Sequence, residues 1–454
     1  MRAEPRGGVA GGPTRVVVVA GLAMGAIYLA GVRLAALSPA LASRPAIDKV
    51  VAQVCALGLL YLVAAWAVTA GRGRKHGAGL TIFIVLAGLL FRLSLVPAPP
   101  VLSSDIYRYV WDGRVQAAEI NPYRFPPSAP ELSLLRDDAI YPQINRKDYP
   151  TVYPGGAQLL FRLFDAAGGG SVLAFKALMT LCDGLTILVL LALLRLVGAA
   201  SELVLLYAWN PLVIHEISLS GHLEGATVLL IVLALALHLD GKRTAGVVAL
   251  AAAASLKLYP ALLLPALLNR GERAKGMALF SACFAAGYLP YLGARERLAG
   301  FLPRYFTWEY ESFNLGLKSL LMKLFPSVGY VALSAILVLA LGAAGLAVLV
   351  RDKRPGEEIR LGALMMGLMI ILMPAALHPW YVLPMVVFQA LRPSPAWIVF
   401  SCVVPLSYLK YTSAAGEVPG WVLGAEYAPL LLLLAAEHAR RLFAPGGTPL
   451  PQRR

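Results

Sequence analysis

Apolar runs long enough to cross a bilayer recur from near residue 16 to near residue 438, and no soluble domain of useful size fits between them. A backbone in lipid must satisfy its own hydrogen bonds, so such runs read as membrane helices. The expected fold is all-α, a single membrane-embedded domain covering residues 1–454. Composition agrees: 59% of residues are hydrophobic and 14% charged, where a soluble chain carries about 25% charged residues.

Spans are expected near 16–37, 49–70, 78–97, 171–194, 201–217, 223–239, 276–292, 329–350, 361–377, 380–392, 396–411 and 421–437, about twelve in all. The apolar stretch 244–269 is different. Ser255-Leu256-Lys257-Leu258-Tyr259-Pro260 interrupts it, and both flanks are basic, with Lys242 and Arg243 before it and Arg270, Arg273 and Lys275 after it. Proline removes a backbone donor and a buried lysine needs a partner, so the stretch reads as a broken hairpin entering and leaving on the cytoplasmic side.

With that hairpin, the short basic links at Arg72, Arg74 and Lys75, at Arg351, Lys353, Arg354 and Arg360, and at Arg440 and Arg441 all fall inside, as positive-inside orientation requires. Three regions are left outside: a first long loop after the third span (98–170), a second (293–328), and a tip at His378-Pro379-Trp380. The net charge of +15 is spread over helix ends rather than gathered on a face, which argues against nucleic-acid binding. Four cysteines (Cys55, Cys182, Cys283, Cys402) lie in apolar segments without metal or disulfide spacing. The run after the Gly/Pro/Arg-rich N-terminus is too long for a signal peptide and reads as a retained first helix. No internal repeat is evident.

The first outer loop carries the chemistry-bearing residues. A helix from Asp105 to Ala118 is expected, capped by Ser103 or Ser104, with Asp105 in its first turn and Asp105, Arg108 and Asp112 on one face. Tyr107, Tyr109 and Trp111 supply aromatic surface of the kind that stacks on sugars. Asn121-Pro122-Tyr123 ends the helix, and Tyr153-Pro154-Gly155-Gly156 turns the chain into an amphipathic segment along the membrane. The same residues are also what an interfacial aromatic belt and a helix N-terminal charge would look like. Lys176 and Asp183, seven apart in one span, read as a structural ion pair.

These segments resemble the GT-C superfamily of membrane glycosyltransferases. Within it they are similar to the bacterial polyprenyl-phosphate-mannose-dependent mannosyltransferases (glycosyltransferase family 87 and the alpha-1,6-mannosyltransferases). The likeness rests on Asp105-Ile106-Tyr107 and Ile120-Asn121-Pro122-Tyr123. It extends to Trp209-Asn210-Pro211, Gly221-His222-Leu223-Glu224, the stretch around Lys257, Phe313-Asn314 and His378-Pro379-Trp380-Tyr381. Glu119 departs from it, standing where the family commonly has glycine. The first outer loop also follows the third span here, not the first.

The resemblance implies transfer of a sugar, mannose by closest analogy, from a polyprenyl-phosphate donor to a lipid or glycan hydroxyl. The site would face the periplasmic or extracellular side of the inner (plasma) membrane. One displacement with inversion needs a carboxylate to take the acceptor proton and cations to hold the departing phosphate. The resemblance puts the catalytic acid at Asp105. Asp112, Arg108, Tyr107, Asn121, Tyr123, His222, Lys257, Arg304, His378 and Trp380 are the candidate substrate-binding residues. No cofactor is expected, and no required metal, because Glu224 lies off the helical face of His222 and no Asp-x-Asp stands near Asp105. A flippase or transporter of lipid-linked saccharides is the alternative, and a non-catalytic subunit of an envelope assembly a third. A transporter, however, would carry paired repeats and short outer loops.

Overall fold

A computed structural model describes residues 12–36, 44–71, 77–300, 313–354, 356–373 and 375–443. All regular structure among them is helical. Three apolar helices open the fold: α1 (Gly12–Ala36), α2 (Arg44–Ala70) and α3 (Ala78–Leu95). The 98–170 segment carries α4 (Asp105–Ala117) and α5 (Gly155–Ala166). Then come α6 (Val172–Leu196), α7 (Glu224–Leu239), α8 (Arg243–Leu256), α9 (Arg273–Ala286), α10 (Leu317–Leu324), α11 (Tyr330–Val350), α12 (Glu357–Ile371), α13 (Leu383–Leu391), α14 (Pro395–Val403) and α15 (Gly420–Phe443).

Six of the described helices are long and apolar enough to cross a membrane: Gly12–Gly31, Ala46–Ala70, Ala78–Leu95, Val172–Leu196, Tyr330–Val350 and Gly420–Arg440. A seventh results if Arg270–Ala286 and Leu289–Ala299, bent by 91°, count as one. The other expected spans are shorter or broken, for local reasons. Over 201–217, Asn210 stops one turn and starts the next: its Oδ1 accepts from Leu212 N (3.1 Å) and Val213 N (3.3 Å) ahead of Pro211. A π-helical turn, His215–Leu219, follows. Over 396–411 the α-helix ends at Val403 and a 3-10 helix, Val404–Tyr411, takes over at Pro405.

The 244–269 stretch folds back on itself as a hairpin. Arg243, at the start of α8, pairs with Glu272 at 3.1 Å, so both ends of the 244–269 stretch lie at one end of the bundle. Arg270 approaches Asp352 there at 3.7 Å, and Lys353 donates to the carbonyls of Pro265 and Leu268, tying in the link between α11 and α12. The bend of the hairpin, at Lys257, is at the far end of α8, where the 98–170 segment packs.

Glycines make that packing possible. A Cβ at Gly113 would stand 2.7 Å from the Phe161 carbonyl, so α4 and α5 cross in backbone contact. A Cβ at Gly156 would collide with Ser255, and one at Gly155 with the carbonyl of Gly287. The start of α5 is thereby pressed against the ends of both α8 and α9. Below it, Tyr109 stacks on Phe161 at 5.1 Å and meets Tyr153 edge-on, forming a buried aromatic floor.

A second buried network locks the spans together. Arg92 of α3, fully buried, pairs with Asp183 of α6 at 2.7 Å. It also donates to the carbonyls of Gly88 (2.9 Å) and Ala208 (2.6 Å). Tyr207 donates its hydroxyl to Asp183 at 2.6 Å. The expected pairing of Asp183 with Lys176 is therefore replaced: Lys176 donates instead to the carbonyls of Leu95 and Ala98. Seven residues along a helix is about 10 Å of rise, too far for a direct pair, and a neighbouring span supplies a better partner.

Candidate active site

The helix α4 begins at Asp105, whose backbone N–H donates to Ser103 Oγ at 3.2 Å, while Ser104, at the N-cap position, makes no side-chain cap. The Asp105 carboxylate sits half-buried on the rim of a cavity of about 980 Å³. Asn145 donates to its Oδ1 at 2.9 Å. Burial works against the charged form, but His222, Lys257, the Asn145 hydrogen bond and His378 outweigh it and hold the carboxyl below the usual carboxylate range.

Lys257 reaches the same cavity from the bend of the hairpin. Its Nζ lies 3.3 Å from Glu224 Oε1 and 5.5 Å from the centre of the Tyr153 ring. The short helix α8, starting from the basic end of the bundle, is long enough to lift it there. Glu224 was expected off the face of His222, yet its Oε2 lies 3.9 Å from His222 Nδ1. The helical argument fails because the chain is not helical between them and Leu219. Gly221 has φ +73°, and a Cβ there would strike Ile106 of α4. The glycine lets His222 sit directly behind α4. On the other side of the ring, His222 Nε2 lies 3.3 Å from Glu216 Oε2, and Tyr408 donates to Glu216 Oε1 at 2.8 Å.

From this acidic pair a column of rings runs along the cavity. His222 stacks on Trp380 at 4.1 Å, Trp380 on His378 at 4.3 Å with an interplanar angle of 2°, and His378 on Phe313 at 4.6 Å. Trp380 and His378 form cavity wall. Trp380 Nε1 and Glu224 Oε2 find no hydrogen-bond partner among the described residues. Burying such groups unmet costs on the order of 1–3 kcal/mol each.

The candidate residues thus divide. Asp105, Tyr107, Arg108, Lys257, His378 and Trp380 line the cavity, with His222 one layer behind Trp380. Asp112 lies behind the helix, where it accepts from Arg108 (2.7 Å) and Gln158 (2.8 Å). Arg108 also donates to the Tyr149 carbonyl at 3.1 Å, tying the cavity's loop wall to α4. Asn121 donates to the Tyr291 carbonyl at 3.1 Å, and Tyr123 gives its hydroxyl to the Tyr153 carbonyl at 2.8 Å. Asp112, Asn121 and Tyr123 thus brace the 98–170 segment rather than face the main cavity. Arg304 lies outside the described residues. Asn145 and Tyr408 escaped the sequence reading. No spacing joins them to the motifs, since each meets the site only through tertiary packing.

Away from the charged end, the cavity is lined by Leu258 and Leu262 of the hairpin, Val338 and Leu341 of α11, and Met369 of α12. One chamber therefore joins a carboxylate and an ammonium to an apolar trough between long helices. Among the described residues, no cluster of three or more His, Cys, Asp or Glu side chains has an arrangement that could hold a metal ion.

Neither a curated protein nor a solved structure matches this chain in comparison. A family model described as alpha-(1->6)-mannopyranosyltransferase, N-terminal domain, does match, over residues 6–269. That span exceeds half of the chain and holds α4, α5, His222, Glu224 and Lys257, so the protein belongs to this mannosyltransferase family.

Proposed function

We propose that the protein moves a mannosyl group from a polyprenyl-phosphate donor to a hydroxyl of a lipid or glycan acceptor, in one inverting displacement at the outer face of the inner (plasma) membrane. The single observation that carries this reading is the shape of the cavity: a polar head holding Asp105 and Lys257 continues into an apolar trough beside α11 and α12. A ligand with a charged sugar phosphate at one end and a hydrocarbon tail at the other matches both parts.

The chemistry needs little else. The acceptor hydroxyl loses its proton to an Asp105 oxygen as its own oxygen bonds to the anomeric carbon. The bond from that carbon to the phosphate oxygen breaks, its electron pair leaving with the phosphate. Lys257 offsets the charge gathering there by exchanging Glu224 for the phosphate as partner. Asn145 holds one Asp105 oxygen, leaving the other for the incoming proton. Tyr107 offers its ring, and Trp380 and His378, whose faces are taken up in the column, their edges to the sugar, while Arg108 steadies the wall. Arg304 remains a proposed second cation for the phosphate. About twelve crossings of the bilayer, the shorter helices included, would put this head at the outer leaflet.

The test is transfer from a defined donor. Purified protein in lipid nanodiscs, given radiolabelled polyprenyl-phosphate-mannose and an extract of envelope acceptors, is expected to move label into a glycolipid or glycan. Movement of the intact lipid-linked sugar across the bilayer, with no bond transferred, would sink the reading in favour of a flippase.

A further inference from the structure

The carboxylate that meets Lys257 is out of a ligand's reach. Glu224 is fully buried and forms no part of the cavity wall, whereas Lys257 lines the cavity with its ammonium 3.3 Å from Glu224 Oε1. Glu224 Oε2 finds no hydrogen-bond partner among the described residues, so the ammonium is what offsets this buried charge. The other described groups that face Glu224 are Tyr259 from the hairpin, Tyr109 and Asp105 from α4, and His222 with Glu216 behind it. None of these is a fixed cation. Arg108 on the cavity wall is engaged with Asp112 at 2.7 Å, and the charge of Arg146, also on the wall, bears on His378 and Tyr411.

We infer that Glu224 is an internal stand-in for the donor phosphate, holding Lys257 until a phosphate takes it and then accepting one proton from water. This rests on the transfer reaction proposed above. If Glu224 stayed ionised, Asp105, Glu224 and the phosphate would set three negative charges around one ammonium. A buried carboxylate robbed of its partner is costly, and it escapes that cost by becoming a neutral acid. The exchange also runs backwards. When Glu224 gives its proton back to water, the restored carboxylate draws Lys257 away from the phosphate, and the spent carrier leaves. Binding and proton uptake are thereby linked, so affinity for the phosphate falls as pH rises.

Calorimetric titration of the protein in lipid nanodiscs with citronellyl methyl phosphate tests this. The diester keeps one fixed charge and has no sugar to transfer. Measured in buffers of different ionisation enthalpy at about pH 7, the wild type should take up about one proton per diester bound, with Kd rising up to about tenfold per pH unit. Glu224→Gln keeps the shape without the charge, and Asp105, which shares the cavity with Lys257, keeps the ammonium charged. That variant should bind the diester about tenfold more tightly, with little proton uptake and a nearly flat pH dependence. The wild-type uptake needs no variant, so it decides the matter even if Glu224→Gln fails to fold. Wild-type binding without proton uptake, or a folded Glu224→Gln that binds no more tightly, would overturn the inference and leave the proposed reaction standing. Wild-type protein that binds no prenyl phosphodiester at all would overturn the inference and the donor reading together.

Discussion

Two buried charge clusters lie within this helical bundle, and they are built in opposite ways. Around Arg92 and Asp183, the guanidinium meets a carboxylate and two carbonyls, and the carboxylate also takes the Tyr207 hydroxyl. Around Lys257 and Glu224 the contacts are longer, with the ammonium 3.3 Å away and His222 at 3.9 Å, and Glu224 Oε2 has no hydrogen-bond partner among the described residues. The first cluster is closed and has nothing left to offer a ligand. The second borders a cavity and holds its cation loosely. A buried charge that is fully met stabilises a fold, whereas one that is partly met is held ready for something else.

The contrast predicts opposite phenotypes. Asp183→Ala leaves the Arg92 charge buried and uncompensated, and is expected to cost about 3–5 kcal/mol. It should appear as loss of folded protein on mild heating in detergent, with any folded remainder transferring at close to the normal rate. Wild-type thermal stability in Asp183→Ala would erase the distinction between the clusters.

Lys257→Met should do the reverse. Transfer is expected to fall about a hundredfold in kcat/KM for the donor, the scale of losing one preorganised partner for developing negative charge. Stability should fall less than in Asp183→Ala, because the site opens to the cavity and Glu224 can neutralise itself by taking a proton. The same variant carries a pH signature. Asp105 has a depressed carboxyl, so it stays an ionised base above that depressed value, and transfer is lost only as pH falls through it. Without Lys257 the effect of burial is less opposed, and the acid limb of the rate profile should move to higher pH. A limb that stays put would mean that Lys257 does not act on Asp105.

The smallest effect lies outside both clusters. Glu119 follows the last turn of α4 with φ 58°, and Ile120 N–H closes back on the Val115 carbonyl at 3.1 Å, the geometry that glycine adopts most readily after a helix. The sequence resemblance marks this position as usually glycine. Glu119→Gly should gain about 1 kcal/mol or less, seen as a small rise in the unfolding midpoint. The exposed Glu119–Arg162 contact at 3.5 Å that it removes contributes little.

Local features were the legible ones. Asp105 at a helix start follows from Ser103, the aromatic run and Asn121-Pro122, and the helix ends within a residue of expectation. The hairpin follows from the basic flanks around Lys257-Pro260. The span count was less legible, because Asn210-Pro211 and the buried His215 and Glu216 turn one apolar run into short pieces whose hydrophobicity alone resembles a full crossing. Partners across the bundle were not legible at all. Nothing in the spacing of Lys176 and Asp183 reveals that Arg92 stands opposite, or that Asn145, forty residues along, returns to Asp105. Those pairings are set by how helices pack, and a one-dimensional pattern holds no record of it.

The most direct test is a single-turnover reaction of labelled polyprenyl-phosphate-mannose with wild-type protein and Asp105→Asn, with donor binding measured in parallel. Asn keeps the shape of the side chain but cannot collect the acceptor's proton. Unchanged donor binding with transfer slowed about a hundredfold to ten-thousandfold is the predicted result. Transfer at the wild-type rate from a folded Asp105→Asn protein would contradict it.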